Sequence, residues 1–146
     1  VTDLEEGMYR LTIGDLFIDN LSSKELADGV NLAIYPNTPQ YQQAAKIMYL
    51  NEERFEVEKR FREYLWTECS FLKKEGLLFA DNQQAVDKLK EYLPKDIFLK
   101  ASYDWYIKAM HPEIREVWGD YIKKIVETIY KINRPVTQKV RLTKIE

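Results

Sequence analysis

The chain opens on two short runs in which apolar and polar residues alternate, Tyr9-Arg10-Leu11-Thr12-Ile13 and Leu16-Phe17-Ile18-Asp19, joined by Gly14-Asp15. Period-two alternation predicts strands, and glycine first in a two-residue connection predicts a hairpin with a type II′ turn. Tyr9, Leu11 and Ile13 then share one face, and Arg10 and Thr12 the other.

Beyond Leu21 the period lengthens. Ser22-Ser23-Lys24-Glu25 reads as a capping box, in which the Ser22 hydroxyl and the Glu25 carboxylate satisfy free amides at a helix start. This short helix is predicted to stop at Gly29, with Val30 to Ile34 leaving in extended form. Thr38-Pro39 starts the next helix, because proline is preset for a first turn. No glycine or proline follows until Gly76, so the helix is long. Tyr41, Ala44, Met48, Phe55, Phe61, Leu65, Cys69 and Leu72 lie near helical spacing along it. A polar gap from Asn51 to Arg54 predicts a shift of the buried face.

Asp81 is the expected cap of a helix carrying Ala85, Val86, Leu89 and Leu93 and ending near Pro94. Ile97, Phe98, Ala101, Trp105 and Ala109 fit a further helix, although Tyr103 and Tyr106 thicken its other side. Pro112 opens another, with Ile114, Val117, Trp118, Tyr121, Ile125, Ile129 and Ile132 on one stripe, expected to run antiparallel to the long helix. Residues 136–145 alternate again, with Val136, Val140 and Leu142 on one face. An isolated hairpin is marginal in water, so this strand is expected to join the N-terminal hairpin. The fold class is therefore α+β, mainly α: a small antiparallel sheet with a long helix and antiparallel helical partners. The expected organisation is one accessory domain over 1–146, comprising hairpin and short helix (1–34), a helical part (35–133) and a C-terminal strand (134–146).

Composition changes this picture little. At 146 residues and 45% hydrophobic, the chain has the size and make-up of one globular domain. Twenty-two basic and twenty-four acidic residues are interspersed, as on solvated helices, which argues against nucleic acid as a partner. No apolar run is long enough to span a membrane, and no signal-peptide pattern opens the chain. A first residue other than methionine suits a piece of a longer precursor. The lone Cys69 can form no internal disulfide and leaves the compartment open; placed among Trp66, Phe71 and Leu72, it is expected to be buried and inert.

Candidate chemistry is sparse. The single histidine, His111, precedes Pro112 at a helix entrance, without a nucleophile-elbow serine anywhere. Neighbouring acids such as Glu52, Glu53, Glu56, Glu58, Asp81 and Asp87 are more simply solvated than catalytic. No Glu-x-x-His or related spacing suggests a metal, so neither catalytic, cofactor-binding nor metal-ligating residues are assigned. Trp66, Trp105 and Trp118 are candidates for a sugar platform or an interface, with helix packing as the competing use.

Three blocks in sequence carry a resemblance: Gly7-Met8-Tyr9-Arg10-Leu11-Thr12-Ile13, then Ser23-Lys24-Glu25-Leu26-Ala27-Asp28-Gly29-Val30-Asn31-Leu32-Ala33, then Thr38-Pro39 and Gln43-Ala44. Together they resemble the region downstream of the catalytic domain in bacterial SGNH (GDSL-type) hydrolases, over about residues 7–65, with the later helices as an extension of one lineage. That family cleaves esters with a serine in a Gly-Asp-Ser motif, oxyanion-hole Gly and Asn residues, and an Asp-x-x-His pair. Here Leu16 follows Gly14-Asp15 and no Asp-x-x-His occurs, so no catalytic position carries over. Asn31 matches the family block as a binding candidate, with a structural hydrogen bond as its first expected role.

The resemblance implies a noncatalytic C-terminal accessory domain of an ester hydrolase, a lipase, esterase or carbohydrate acetylesterase. Its partner would be the upstream hydrolase domain of the same polypeptide, and its possible ligand an acylated carbohydrate. The resemblance points to an exported parent, whereas the residues themselves leave localisation undetermined. The rival reading is a carbohydrate-binding or protein-interaction module without a hydrolase partner.

Overall fold

The computed structural model describes residues 1–145; Glu146, the end of the expected C-terminal strand segment, lies outside them. The architecture is mainly helical with a three-stranded antiparallel sheet. Its elements are β1 (Met8–Ile13), β2 (Leu16–Ser22), α1 (Ser23–Asp28), α2 (Pro39–Thr67), α3 (Gln83–Tyr92), α4 (Ile97–Ala109), α5 (Pro112–Ile132) and β3 (Val140–Lys144). The chain divides into two compact units, residues 1–49 with 129–146, and residues 50–128.

In the first unit the strand order is β2-β1-β3, so the predicted hairpin and the predicted last strand do share one sheet. Gly14, at φ +60°, occupies the left-handed region that the two-residue turn needs. Tyr9, Leu11 and Ile13 are all buried, as period two requires. On β2, however, the buried residues Ile18 and Leu21 are three apart. A bulge explains this: Leu11 pairs with Asp19 but Thr12 with Phe17, leaving Ile18 as the extra residue. Such an insertion re-aims a side chain and lets Ile18 reach the core face. Leu26 of α1 completes this core, with Leu4, Val30, Tyr35 and Leu142 around it.

The capping box at Ser22 and Glu25 is present with both reciprocal bonds, and α1 ends at Gly29. Residues 32–34 differ from the extended segment expected. They form a 3-10 turn, because the Asn31 side chain accepts the Ala33 amide at 3.0 Å and holds the turn at its start. Thr38, buried, accepts the Tyr41 amide through its hydroxyl at 3.2 Å and thereby caps α2. Within this unit the Gln43 side-chain amide donates to the Ile132 and Arg134 carbonyls at 2.6 and 2.7 Å, satisfying the C-terminal end of α5. The last strand begins later than the alternation suggests: Val136 precedes it and is exposed, Val140 is exposed too, and only Leu142 faces the core.

The second unit is built on residues 50–67 of α2, with α3, α4 and residues 112–128 of α5. Its core holds Val57, Tyr64, Phe71, Leu72, Ala85, Val86, Leu89, Leu99, Tyr106, Ala109 and Trp118. The Arg60 guanidinium lies over Trp118 and the Arg115 guanidinium over Tyr64, so α2 and α5 run antiparallel here. The helical course of α2 continues as a π-helical turn over Glu68–Leu72 and a 3-10 turn over Lys73–Glu75, then stops at Gly76 in the left-handed conformation.

Besides α5, where Trp118 and Ile125 of the expected stripe are buried but Ile114, Val117 and Tyr121 are exposed, three expectations fail in this unit, two of them for one reason. On α2 the buried positions are Val57, Tyr64 and Thr67 and on the π-helical turn Glu68, Phe71 and Leu72, whereas Phe55 and Leu65 of α2 and Cys69 of the turn are exposed. Polar Thr67 and Glu68 occupy the inward face, so the apolar stripe read from the sequence is out of phase. On α4 the inward residues are Leu99, Ser102, Tyr106 and Ala109, while Ile97 and Phe98 are exposed. Ser102 is inward because its hydroxyl donates to the Phe98 carbonyl at 3.0 Å. The third concerns Asp81: α3 is capped by Asn82, whose side chain accepts the Ala85 amide at 3.0 Å.

Candidate functional site

The densest set of perturbed polar groups surrounds the segment from Gly76 to Asn82. Five side chains meet there: Tyr64 of α2, Glu68 of the π-helical turn, Asp81, Tyr106 of α4 and Arg115 of α5. The Tyr64 hydroxyl donates to Asp81 Oδ1 at 2.9 Å, and Arg115 Nη1 donates to Asp81 Oδ2 at 2.9 Å. The same guanidinium also donates to the Ala109 carbonyl and lies 4.9 Å above the Tyr64 ring. Tyr64 and Tyr106 stack at 5.8 Å with 20° between their planes.

Glu68 is wholly buried and accepts the Phe79 amide on Oε2 at 2.6 Å. Phe79 and Asp81 both adopt positive φ, +54° and +45°. Those backbone angles cost energy outside glycine, so the surrounding bonds hold the segment in place. Glu68 Oε1 and the Tyr106 hydroxyl are buried without a hydrogen-bond partner among the described residues. Burial, first, and then the Asp81 charge raise the Glu68 carboxyl above its ordinary range, and the Phe79 amide offsets this in part. Burial also raises both tyrosines, reinforced for Tyr64 by its bond to Asp81 and for Tyr106 by the Glu68 charge.

This arrangement orients a loop and offers no nucleophile. His111 is exposed, and its backbone carbonyl accepts the Ile114 amide at the start of α5. Among the described residues, no group of three or more His, Cys, Asp or Glu side chains is gathered as a metal site. No described helix is long and apolar enough to cross a membrane.

The residues singled out from the sequence are scattered. Asn31 is exposed and caps its own 3-10 turn. Trp118 is only 8% exposed and meets Phe61 edge-on at 5.7 Å and Trp105 edge-on at 6.3 Å. The Arg60 guanidinium covers both indoles, 5.1 Å from Trp105 and 5.4 Å from Trp118. Trp66 is half-buried and lines an open cleft of about 540 Å³ with Arg62, Glu63, Phe98 and Ala101. The three indoles thus form no common platform. Sequence reasoning passed over Glu68, Tyr64, Tyr106 and Arg115; an acid and a threonine side by side inside an amphipathic helix were the available signal.

The second unit is built of helices and their connections. A family model for the diltiazem deacetylase C-terminal helical domain matches residues 45–134. The chain belongs to that family of helical C-terminal domains of a deacetylating hydrolase. One solved structure, described as a gut microbial diltiazem-metabolizing enzyme, is 42% identical and superposes with a TM-score of 0.90. The match covers 97% of this chain and 32% of that enzyme, so the chain spans about a third of its length. No curated protein matches. The family match falls mostly on the helices that the sequence suggested were an extension, not on the block from Ser23 to Ala33.

Proposed function

We propose that residues 1–146 act together as the noncatalytic C-terminal accessory domain of a hydrolase that removes acetyl groups from small O-acetylated esters. The catalytic part would be of SGNH/GDSL type and would precede this chain in one polypeptide. The observation that carries the reading is membership of the deacetylase C-terminal family together with a sequence that lacks a Gly-Asp-Ser serine and an Asp-x-x-His pair. The blocks 7–13 and 23–33 support the GDSL-type parentage, and the diltiazem-metabolizing neighbour supports a small acetyl ester as substrate class. Folded chain incubated with aryl acetates and with diltiazem is expected to release no acetate above the buffer rate. Turnover that follows the chain through purification and is abolished by a serine-directed reagent would overturn the assignment.

A further inference from the structure

We propose that an apolar strip on the first unit, running from Val1 past Leu32 to Tyr41, is the seat on which the preceding hydrolase part of the polypeptide docks. The inference rests on the reading that such a part precedes Val1. Two open hollows of about 220 and 340 Å³ make up the strip, and Leu32 lines both. The first is an open end of the unit's own core, where Leu11, Leu26 and Leu142 meet the more exposed Val1 and Val140. Val140 lies two residues before Leu142, hence on the same side of β3, yet is 56% exposed, so the described residues leave that end uncovered. Ala33, Tyr41 and Ala44 line the second hollow. No Asp, Glu, Lys or Arg side chain lines either one, in a chain of which 32% is charged. Each of the other hollows described has at least one: Lys46 in the first, Arg62 and Glu63 in the next, Glu75 and Lys88 in the third.

The 3-10 turn between the hollows is fixed by the Asn31 cap and leaves Leu32 and Ile34 36% and 66% exposed. Apolar groups gathered in one exposed place, rather than scattered singly, mark an interaction surface. Three observations select a large, covalently linked occupant. The Val1 nitrogen donates to the Leu26 carbonyl at 2.8 Å, and an amide nitrogen there donates the same bond, so a preceding segment enters at the rim of the first hollow. A body tethered at that point has a local concentration of about millimolar, at which even a modest apolar contact forms. The chain matches 32% of the diltiazem-metabolizing neighbour, so about two thirds of that enzyme is left to cover such a surface. A small ester suits the strip less well. The Thr38 hydroxyl is spent on the Tyr35 carbonyl and the Tyr41 amide, which leaves Gln40 and the Tyr41 phenol as the polar side chains able to orient a ligand.

Hydrogen exchange tests this, measured in residues 1–146 alone and in the longer polypeptide that carries them. The Ala33, Ile34 and Tyr35 amides are bonded within their own exposed turn, so they exchange fast in 1–146 and are expected to slow about tenfold or more beneath a docked partner. Leu32→Asp combined with Ile34→Asp should abolish the slowing and leave the unfolding midpoint of 1–146 unchanged, since neither residue belongs to the buried core. Tyr41→Lys, from the other hollow, should do the same and keeps the idea testable if the double variant folds poorly. Tyr130→Asp, exposed but outside both hollows, should leave the slowing intact. No slowing in the longer polypeptide, slowing that survives the strip substitutions, or slowing in 1–146 alone that grows with its concentration, as a second copy would give, would each overturn the proposal. Acetate release by the longer polypeptide separates the two readings: release without slowing removes the seat and keeps the hydrolase, whereas slowing without release keeps the seat and removes the deacetylase.

Discussion

Asp81 offers the sharpest discrimination between two physical accounts of the same residue. If it caps α3, as the sequence suggests, replacing it should cost a helix cap and be independent of α5. In the structure it instead cross-links α2 and α5 through Tyr64 and Arg115, at 2.9 Å to each. Hydrogen bonds to a charged group contribute about 1.5–3 kcal/mol each when desolvated, and exposed ion pairs well under 1 kcal/mol. The Asp81 and Arg115 side chains are 17% and 25% exposed, which places the pair between those limits. Asp81→Ala is therefore expected to cost about 3 kcal/mol, including the extra strain of alanine at φ +45°. Asp81→Asn, which tolerates that angle and keeps an acceptor, should cost about 1 kcal/mol.

The assay is denaturant unfolding followed by tryptophan fluorescence, which reports only the second unit because Trp66, Trp105 and Trp118 all lie in residues 50–128. In a double-mutant cycle, Asp81→Ala and Arg115→Ala should couple by about 1–2 kcal/mol. Asn82→Ala, which removes the true cap, should cost about 1 kcal/mol and add independently to Arg115→Ala. Additivity of Asp81→Ala and Arg115→Ala within about 0.3 kcal/mol, with Asn82→Ala harmless, would refute the cross-link.

Cys69 is exposed, so a thiol reagent should modify it in the native protein nearly as fast as in the unfolded chain; slow, unfolding-limited labelling would contradict that placement. Tyr64 and Tyr106 should remain neutral through the range near pH 10 where exposed tyrosines ionise, as followed by ultraviolet difference absorbance. Because their native pKa values are raised, the stability they contribute is present below pH 10 and lost as pH climbs further. Glu25 is lowered chiefly by the Ser22 hydroxyl, so Ser22→Ala should move its titration back toward the ordinary value. With its native pKa depressed, the stabilisation from Glu25 holds above the ordinary carboxylate range and fades as pH falls through the native value, and Ser22→Ala should flatten that dependence.

Legibility in the sequence followed the chemistry of each buried face. Where the face is purely apolar, as at Tyr9, Leu11 and Ile13, period two located the strand and its orientation. Local capping was equally legible, because Ser22 and Glu25 act within four residues of one another. The inward faces of α2, the π-helical turn and α4 were not, since they carry polar residues that an apolar stripe does not mark: Thr67 and Ser102 turn inward by donating to carbonyls four residues back, and Glu68 accepts an amide from a distant segment. Glu68 meets the Phe79 amide eleven positions onward, and Asp81 meets the Arg115 guanidinium 34 positions onward. Neither pairing has a local signature. The bulge at Ile18 was hidden for the same reason: an inserted residue is defined by the partner strand.

Perturbed, buried acids are a common mark of catalytic sites, and Glu68 satisfies that description. What separates this cluster from an active centre is where its bonding capacity goes. Asp81 is engaged by Tyr64 and Arg115, Arg115 by Asp81 and Ala109, and Glu68 by the Phe79 backbone. The open clefts described in this unit are lined by other residues, Arg62, Glu63, Trp66, Phe98 and Ala101 in one, and Glu75, Leu77, Gln84, Asp87, Lys88 and Glu91 in another. A general acid or base must reach a substrate proton, and Glu68 reaches only its own loop. Removing one member of such a buried set leaves its partner unpaired, which costs more than the intact pair contributes net. The chemistry of the second unit is thus directed at fixing the segment 76–82 between α2, α4 and α5.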